Sequence, residues 1–175
     1  MSSSYVEPVY VDVTDKVSVD APLSLFLALQ GRRHPYLLES VEKSGQKARF
    51  SFVGADPSAV VTVKNRFIKM QFYNGGMDLI EERLSRVAEV ERAGSTLQGP
   101  LREGFDLFDG LRAAIPCSSG LPNSFGRQVF TGGAIGYLAY DLVMERLGKS
   151  SASRTPDAMF CLAESTFIFD HLTRR

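Results

Sequence analysis

Residues 35–54, PYLLESVEKSGQKARFSFVG, constrain the fold most. Two short apolar runs flank the polar Ser44-Gly45-Gln46, the pattern of a β-hairpin. The first run, 36–41, carries Glu39 and Ser40 among apolar residues. Side chains alternate along a strand, so Tyr36, Leu38 and Ser40 share one face and Leu37, Glu39 and Val41 the other. If both faces are covered, a carboxylate and a hydroxyl lie near a core, where each needs a partner, and the strand marks a site. As a half-exposed edge strand it leaves both groups in water.

The rest of the chain supplies further strands and a few helices. Residues 9–13 alternate as a first strand. Asp20 offers an N-cap, Pro22 suits a first turn, and Leu23, Phe26, Leu27 and Gln30 mark a short helix ended by Gly31. Residues 59–64 are β-branched, and Asn65-Arg66 turns the chain into 67–73, where Ile68, Met70 and Phe72 alternate with Lys69 and Gln71. That is a strand with one wet face. After the break at Asn74-Gly75-Gly76, Ile80, Leu84, Val87 and Ala88 recur at helical spacing, and Gly94 ends that helix. Residues 94–103 read as a loop, and Phe105, Phe108, Leu111 and Ile115 as an amphipathic helix stopped by Pro116. A long glycine-interrupted strand over 129–140, a short helix over 142–147 and a central strand over 159–169, apolar on both faces, follow. The sum is an α+β fold: antiparallel-dominated sheet with helices packed outside, forming one domain over 1–175.

Composition and motif spacing exclude several function classes. Lys plus Arg and Asp plus Glu balance at 20 each, so no nucleic-acid footprint is present. No apolar stretch approaches a membrane span and no signal-peptide pattern opens the chain, so no membrane partner is expected and the location is cytoplasmic. Cys117 and Cys161, with His34 and His171 far apart in sequence, make no zinc pattern and read as free thiols. The run 131–136, TGGAIG, has Thr131 where a dinucleotide fingerprint needs glycine and lacks the downstream acidic residue; it reads as a glycine-kinked strand that admits a close backbone. Asp141 and Glu145 read as surface carboxylates, and Asp170-His171, with no nucleophile nearby in the pattern, as a packing or turn pair. No catalytic residue and no metal ligand emerges.

Four segments in order carry a family resemblance. They are Leu37-Leu38-Glu39-Ser40 followed by RFSFVGADP at 49–57, FTGGAIGYLAYD at 130–141, Pro156-Asp157 and Phe169-Asp170-His171, with the opening DAPLSLF at 20–26 in agreement. Together they resemble the amino-terminal region of anthranilate synthase component I, a chorismate-utilising family. The resemblance implies a fold of two large β-sheets with helices outside, of which this chain supplies part. It also implies an activity for full-length members: chorismate to anthranilate and pyruvate, with Mg²⁺ and with ammonia from a glutamine amidotransferase partner. The family's acidic metal ligands and chorismate-binding motifs have no counterpart in this sequence. The chain is therefore expected to be a regulatory and scaffolding part, with no cofactor of its own, that packs against a carboxyl-terminal chorismate-binding domain. By the same resemblance Leu38, Glu39 and Ser40 border a site for L-tryptophan as feedback effector, with Arg49 on the partner strand for its carboxylate. An amino-acid zwitterion needs acceptors for its ammonium, donors for its carboxylate and an apolar slot for its ring, and these residue types offer the polar part. Two alternatives stay open: the amino-terminal part of aminodeoxychorismate synthase component I, and a stand-alone amino-acid-binding regulatory module.

Overall fold

Asn65 and Arg66 both take positive φ, 48° and 61°, and reverse the chain between the strands Ala59–Lys64 (β3) and Phe67–Phe72 (β4). The structure, a computed structural model, describes residues 9–13, 22–39, 49–116, 129–130, 132–140, 142 and 154–173. In chain order the other elements are α1 (Pro22–Ala28), β1 (Tyr36–Glu39), β2 (Phe50–Gly54), α2 (Met77–Leu84), β5 (Glu91–Ala93), β6 (Thr96–Pro100), α3 (Leu107–Ala114), β7 (Gly133–Leu138), β8 (Ala158–Ala163) and β9 (Phe167–Asp170). The fold is α+β, as the periodicities imply. The chain divides into two compact units: Met1–Asp56 with Cys117–Gly132 and Ala163–Arg175, and Pro57–Pro116 with Gly133–Leu162.

The second unit is built on a six-stranded sheet, β5-β6-β4-β3-β8-β7, in which β3–β4, β3–β8, β4–β6 and β5–β6 pair antiparallel. The period-two stripe of β4 turns Ile68, Met70 and Phe72 inward and leaves Lys69 exposed, as expected. Val61 and Val63 of β3 and Leu97 of β6 join that stripe, and Ile80 and Leu84 of α2 with Leu111, Ala113 and Ala114 of α3 complete the core. α3 begins on a capping box: Asp106 accepts from the backbone N–H groups of Phe108 and Asp109 at 2.8 and 3.0 Å, and Asp109 accepts from the backbone N–H of Asp106. These backbone bonds, that from Asp109 first, hold the Asp106 carboxyl below its usual range against the opposing effect of burial. At the other end Arg83 Nη2 donates to the carbonyls of Arg112 and Ile115 at 2.6 and 3.0 Å and satisfies the helix's last turn.

Asp157 explains the Pro156-Asp157 segment. It is 5% exposed, accepts from Lys64 Nζ at 2.9 Å and from the Asn65 backbone N–H at 2.7 Å, and so clamps the β3–β4 turn. The glycine run also takes the structural role expected of it. Gly132 and Gly133 have φ of 117° and 137°, and a Cβ on Gly136 would collide with the backbone carbonyl of Met159.

The first unit holds a three-stranded antiparallel sheet, β1-β2-β9, with α1 packed against β1 and β2. The Tyr36 ring lies over Gly54, where any Cβ would collide with it, and its hydroxyl shares a 2.6 Å hydrogen bond with Thr166 Oγ1.

Several expectations are corrected. Residues 9–13 form no strand, and Val9 is 86% exposed. α1 buries Pro22 and Leu25, whereas Leu23 and Leu27 are each 52% exposed. α2 stops at Leu84, where the Ser85 hydroxyl donates back to the Glu81 carbonyl at 2.7 Å; Ala88 is buried from the connection beyond. The supposed loop 94–103 contains β6, an inner strand, and Gly94, at φ 61°, makes the turn that leads into it. Its glycine and proline disguised it: Gly99 is required because a Cβ there would strike the Glu89 carbonyl. In α3 the buried face is Gly110, Leu111, Ala113 and Ala114, and Phe108 is partly exposed. The strand expected over 129–140 is confined to β7, at a sheet edge, and the single strand expected over 159–169 is two strands, β8 and β9, in different sheets. The break falls at Glu164-Ser165-Thr166, whose polar residues the apolar alternation around them had masked. The helix expected over 142–147 lies, apart from Leu142, outside the described residues, as do the Ser44-Gly45-Gln46 turn, Asp20, Cys117, Asp141 and Glu145.

Leu97→Ala should lower unfolding stability by about 2–5 kcal/mol, because Leu97 is 1% exposed and its neighbours cannot collapse fully into the gap. Leu79→Ala, at a residue 54% exposed, should stay within about 0.5 kcal/mol. Urea unfolding followed by circular dichroism measures both.

Candidate functional site

β1 forms one edge of the three-stranded sheet, so the strand carrying Leu38 and Glu39 is the half-exposed edge strand of the two readings. Leu38 is 38% exposed and Glu39 is exposed. Antiparallel register sets Leu38 opposite Phe52 and Glu39 opposite Ser51. Leu38 therefore shares a face with Tyr36 and Phe52, and Glu39 with Leu37, Ser51 and Val53. Phe52 packs edge-on against Phe130, with ring centroids 5.9 Å apart. Ser40 lies outside the described residues.

Arg49, just before β2, is committed within the same sheet. Its Nε donates to Asp170 Oδ1 at 2.9 Å and its Nη2 to Oδ2 at 2.6 Å, a two-pronged pair, while the guanidinium lies 4.8 Å from the Phe50 ring centroid. Asp170, 6% exposed, also accepts from the backbone N–H groups of Leu172 and Thr173 at 3.0 and 3.4 Å. The hydrogen bonds from Arg49 do most to hold its carboxyl well below the usual carboxylate range, those from Leu172 and Thr173 add to them, and burial opposes them. The structure thus keeps Asp170 as a turn and strut residue, which agrees with the packing or turn role read for Asp170-His171.

Sequence reasoning missed one residue at this place. Ser51 Oγ lies 2.7 Å from His171 Nε2, so a hydroxyl does stand beside the imidazole. The pair is not an exposed nucleophile and base, because Ser51 is 2% exposed and the neighbouring carboxylate faces Arg49. The signal was available: Ser51 is the one polar residue between Phe50 and Phe52, and a polar residue buried in a strand requires a partner.

The other charged clusters serve packing. Asp56 binds Arg32 Nε at 2.6 Å and the Arg33 backbone N–H at 3.1 Å; the latter bond leads in lowering its carboxyl pKa. An open cleft of about 280 Å³ between α2 and α3 is lined by Arg83, Arg86, Val87, Asp109, Arg112 and Ala113. There Arg83 caps α3, Arg86 pairs with Glu82 and Arg112 with Asp109, so each guanidinium has a local partner. Cys161 is partly buried, which pushes its thiol up and away from thiolate reactivity. Among the described residues no three His, Cys, Asp or Glu side chains are grouped to hold a metal. Among them also, no helix is long and apolar enough to cross a membrane.

No family model matches the chain. Anthranilate synthase component 1 2 of Haloarcula marismortui is 34% identical over 94% of this chain and 32% of its own length. Anthranilate synthase component 1 of Haloferax volcanii is 34% identical over 89% of this chain and 30% of its own length, and that of Geobacillus stearothermophilus 31% identical over 87% and 26%. A crystal structure of anthranilate synthase component I from Streptococcus pneumoniae TIGR4 covers 89% of this chain and 28% of that one, at 21% identity and a TM-score of 0.35. The chain is a relative of anthranilate synthase component 1, it spans about a third of the length of the curated relatives it matches, and the match fits an amino-terminal region.

Asp170 has a depressed folded pKa, so its contribution to stability is present above the unfolded value of about 4 and is lost as pH falls below it. Asp170→Asn should therefore be less stable than the wild type at pH 7, by a gap that narrows as the pH is lowered from about 4 toward the folded pKa. Urea midpoints at neutral and acid pH read the gap; one that widens in acid would contradict the pairing.

Proposed function

We propose that this chain is the amino-terminal, tryptophan-sensing part of an anthranilate synthase component 1. The observation that carries the reading is similarity to component 1 relatives over about nine tenths of the chain, across the segment that holds Leu38, Glu39 and Arg49. In the whole enzyme chorismate is converted to anthranilate and pyruvate in tryptophan biosynthesis, in the cytoplasm. Mg²⁺ and the chorismate-binding groups belong to a carboxyl-terminal domain, and ammonia comes from a glutamine amidotransferase subunit.

The role of the present residues is to bind the end product away from the reaction. The exposed β1 edge presents the Glu39 carboxylate as an acceptor for the effector's ammonium. Leu38, on the opposite face with Phe52, supplies apolar surface of the kind an indole needs. Ser40 adds a hydroxyl of either polarity. Arg49 contributes through Asp170, by tying β2 to β9 and so fixing the strand against which β1 lies. Effector binding changes the affinity or rate at a distant site through a coupling free energy, so weakening the effector site should leave the uninhibited reaction intact.

Two measurements test the reading. In the intact enzyme Ser40→Phe should weaken tryptophan inhibition by a coupling of roughly 1–3 kcal/mol, with turnover in the absence of tryptophan nearly unchanged. An unaltered inhibition curve would remove Ser40 from the site. Purified chain alone, given chorismate, Mg²⁺ and ammonium, should form no anthranilate above a protein-free blank in a fluorescence assay, and sustained product would place the reaction's catalytic groups in this part.

A further inference from the structure

Residues 73–76 connect β4 to α2 and contain the sequence Asn74-Gly75. The backbone N–H groups of Tyr73 and Asn74 donate to the Ser58 carbonyl at 2.8 and 3.2 Å. The next N–H, that of Gly75, has no acceptor among the described residues, and among them the Asn74 carboxamide has no hydrogen-bond partner either. Asn74, Gly75 and Gly76 are all exposed, and a Cβ on Gly75 would meet no atom within 4 Å. A carboxamide carbon thus precedes an amide nitrogen that is solvated and unhindered. Asp109-Gly110 is a chemically similar pair in the opposite setting. It lies inside α3, where the Gly110 N–H donates to the Asp106 carbonyl at 3.1 Å. The Asp109 carboxylate accepts there from the Asp106 N–H and from Arg112 at 3.0 and 3.1 Å. Asn65 precedes Arg66, whose Cβ crowds the nitrogen that follows the asparagine.

We propose that Asn74 is a site of spontaneous deamidation, converted in the folded chain to aspartate and isoaspartate. The Gly75 nitrogen attacks Asn74 Cγ. A C–N bond forms, the Cγ–Nδ2 bond breaks, and Nδ2 leaves as ammonia with the proton that the Gly75 nitrogen gives up. The product is a five-membered cyclic imide, which water opens at one of its two carbonyls. Cleavage of the bond to Cγ leaves aspartate in an unaltered main chain. Cleavage of the bond to the main-chain carbonyl carbon leaves isoaspartate, whose main chain runs through Cβ and Cγ. Either product adds one negative charge two residues ahead of Gly76, the N-cap of α2, which makes no side-chain cap bond of its own. A carboxylate in that place suits the positive end of the helix dipole, so the fold does not resist the product's charge.

The purified chain is held at physiological temperature, at neutral and at mildly alkaline pH, and sampled over days. Its formal net charge at pH 7 is +0, so conversion of one amide gives a separate, more acidic band in isoelectric focusing. Trypsin then releases residues 70–83, with Asn74, and 103–112, with Asp109, as separate peptides. The expected result is that peptide 70–83 gains the mass of water less that of ammonia and splits into two chromatographic forms. Conversion should be faster at alkaline pH, because the attacking nitrogen must lose its proton, and peptide 103–112 should stay single. Gly75→Ala, which the open surroundings accommodate, should slow the conversion about tenfold by crowding the nitrogen. A synthetic peptide of residues 70–83 gives the rate of the unrestrained sequence, and the folded chain should convert at a similar rate. A segment that stays intact in the chain while the synthetic peptide converts means that the fold shields the amide, and overturns the proposal. A Gly75→Ala chain that acidifies at the wild-type rate places the reaction at another amide and overturns it equally.

Discussion

The turn at Asn65-Arg66 holds the six-stranded sheet in register. Two residues of positive φ connect β3 to β4 with the handedness that suits twisted strands, so Val61 faces Met70 and Val63 faces Ile68 with no residue to spare. A slip of one position would turn Lys69 into the core and Met70 into water. Arg at positive φ is an unfavourable choice, and the surroundings stabilise it: Asp157 grips Lys64 and the Asn65 N–H, and Arg66 Nη2 donates to the Arg102 carbonyl at 3.1 Å. Once β4 is set, β6 pairs on one side and β3 on the other. The stripe they share is then broad enough for α2 and α3 to cover.

A different device sets the smaller sheet. Its strands are four or five residues long, too short to be held by backbone pairing alone, and its charged residues act as cross-strand ties. Arg49 and Asp170 link β2 to β9 through a two-pronged ion pair, and Tyr36 reaches Thr166 in the segment just before β9. These ties leave β1 as an edge with an exposed carboxylate.

The proposed division of labour follows from this placement. In that proposal the effector residues lie on the β1 edge, apart from the groups that carry out the reaction. The glycines of the segment 132–136 and the aspartate of Pro156-Asp157 have structural roles. They let strands approach closely and clamp a turn, so their presence in a family-like pattern reflects the demands of backbone packing.

Local chemistry was enough to read much of this protein directly. The alternation of Ile68, Met70 and Phe72 specifies a strand and its buried face because side-chain direction has a period of two, whatever surrounds it. Asn65-Arg66 as a turn and the structural use of the glycines over 131–136 rest on equally local rules, whereas the cap that starts α3 at Asp106 became visible only in the folded chain. Leu38 and Glu39 could be singled out from the strand pattern, and the family likeness of the segments around them came from residues alone. Three things required the tertiary structure. β6 hides behind a glycine that is there for a neighbouring carbonyl, and nothing within residues 94–103 reports that neighbour. The stretch 159–169 divides between two sheets because pairing partners distant in sequence, β3 and β2, claim its two halves. The Ser51–His171 contact spans 120 positions, and the Arg49–Asp170 pair 121. Periodicity carries information about which way a side chain points; which distant group it meets is decided when strands choose their partners.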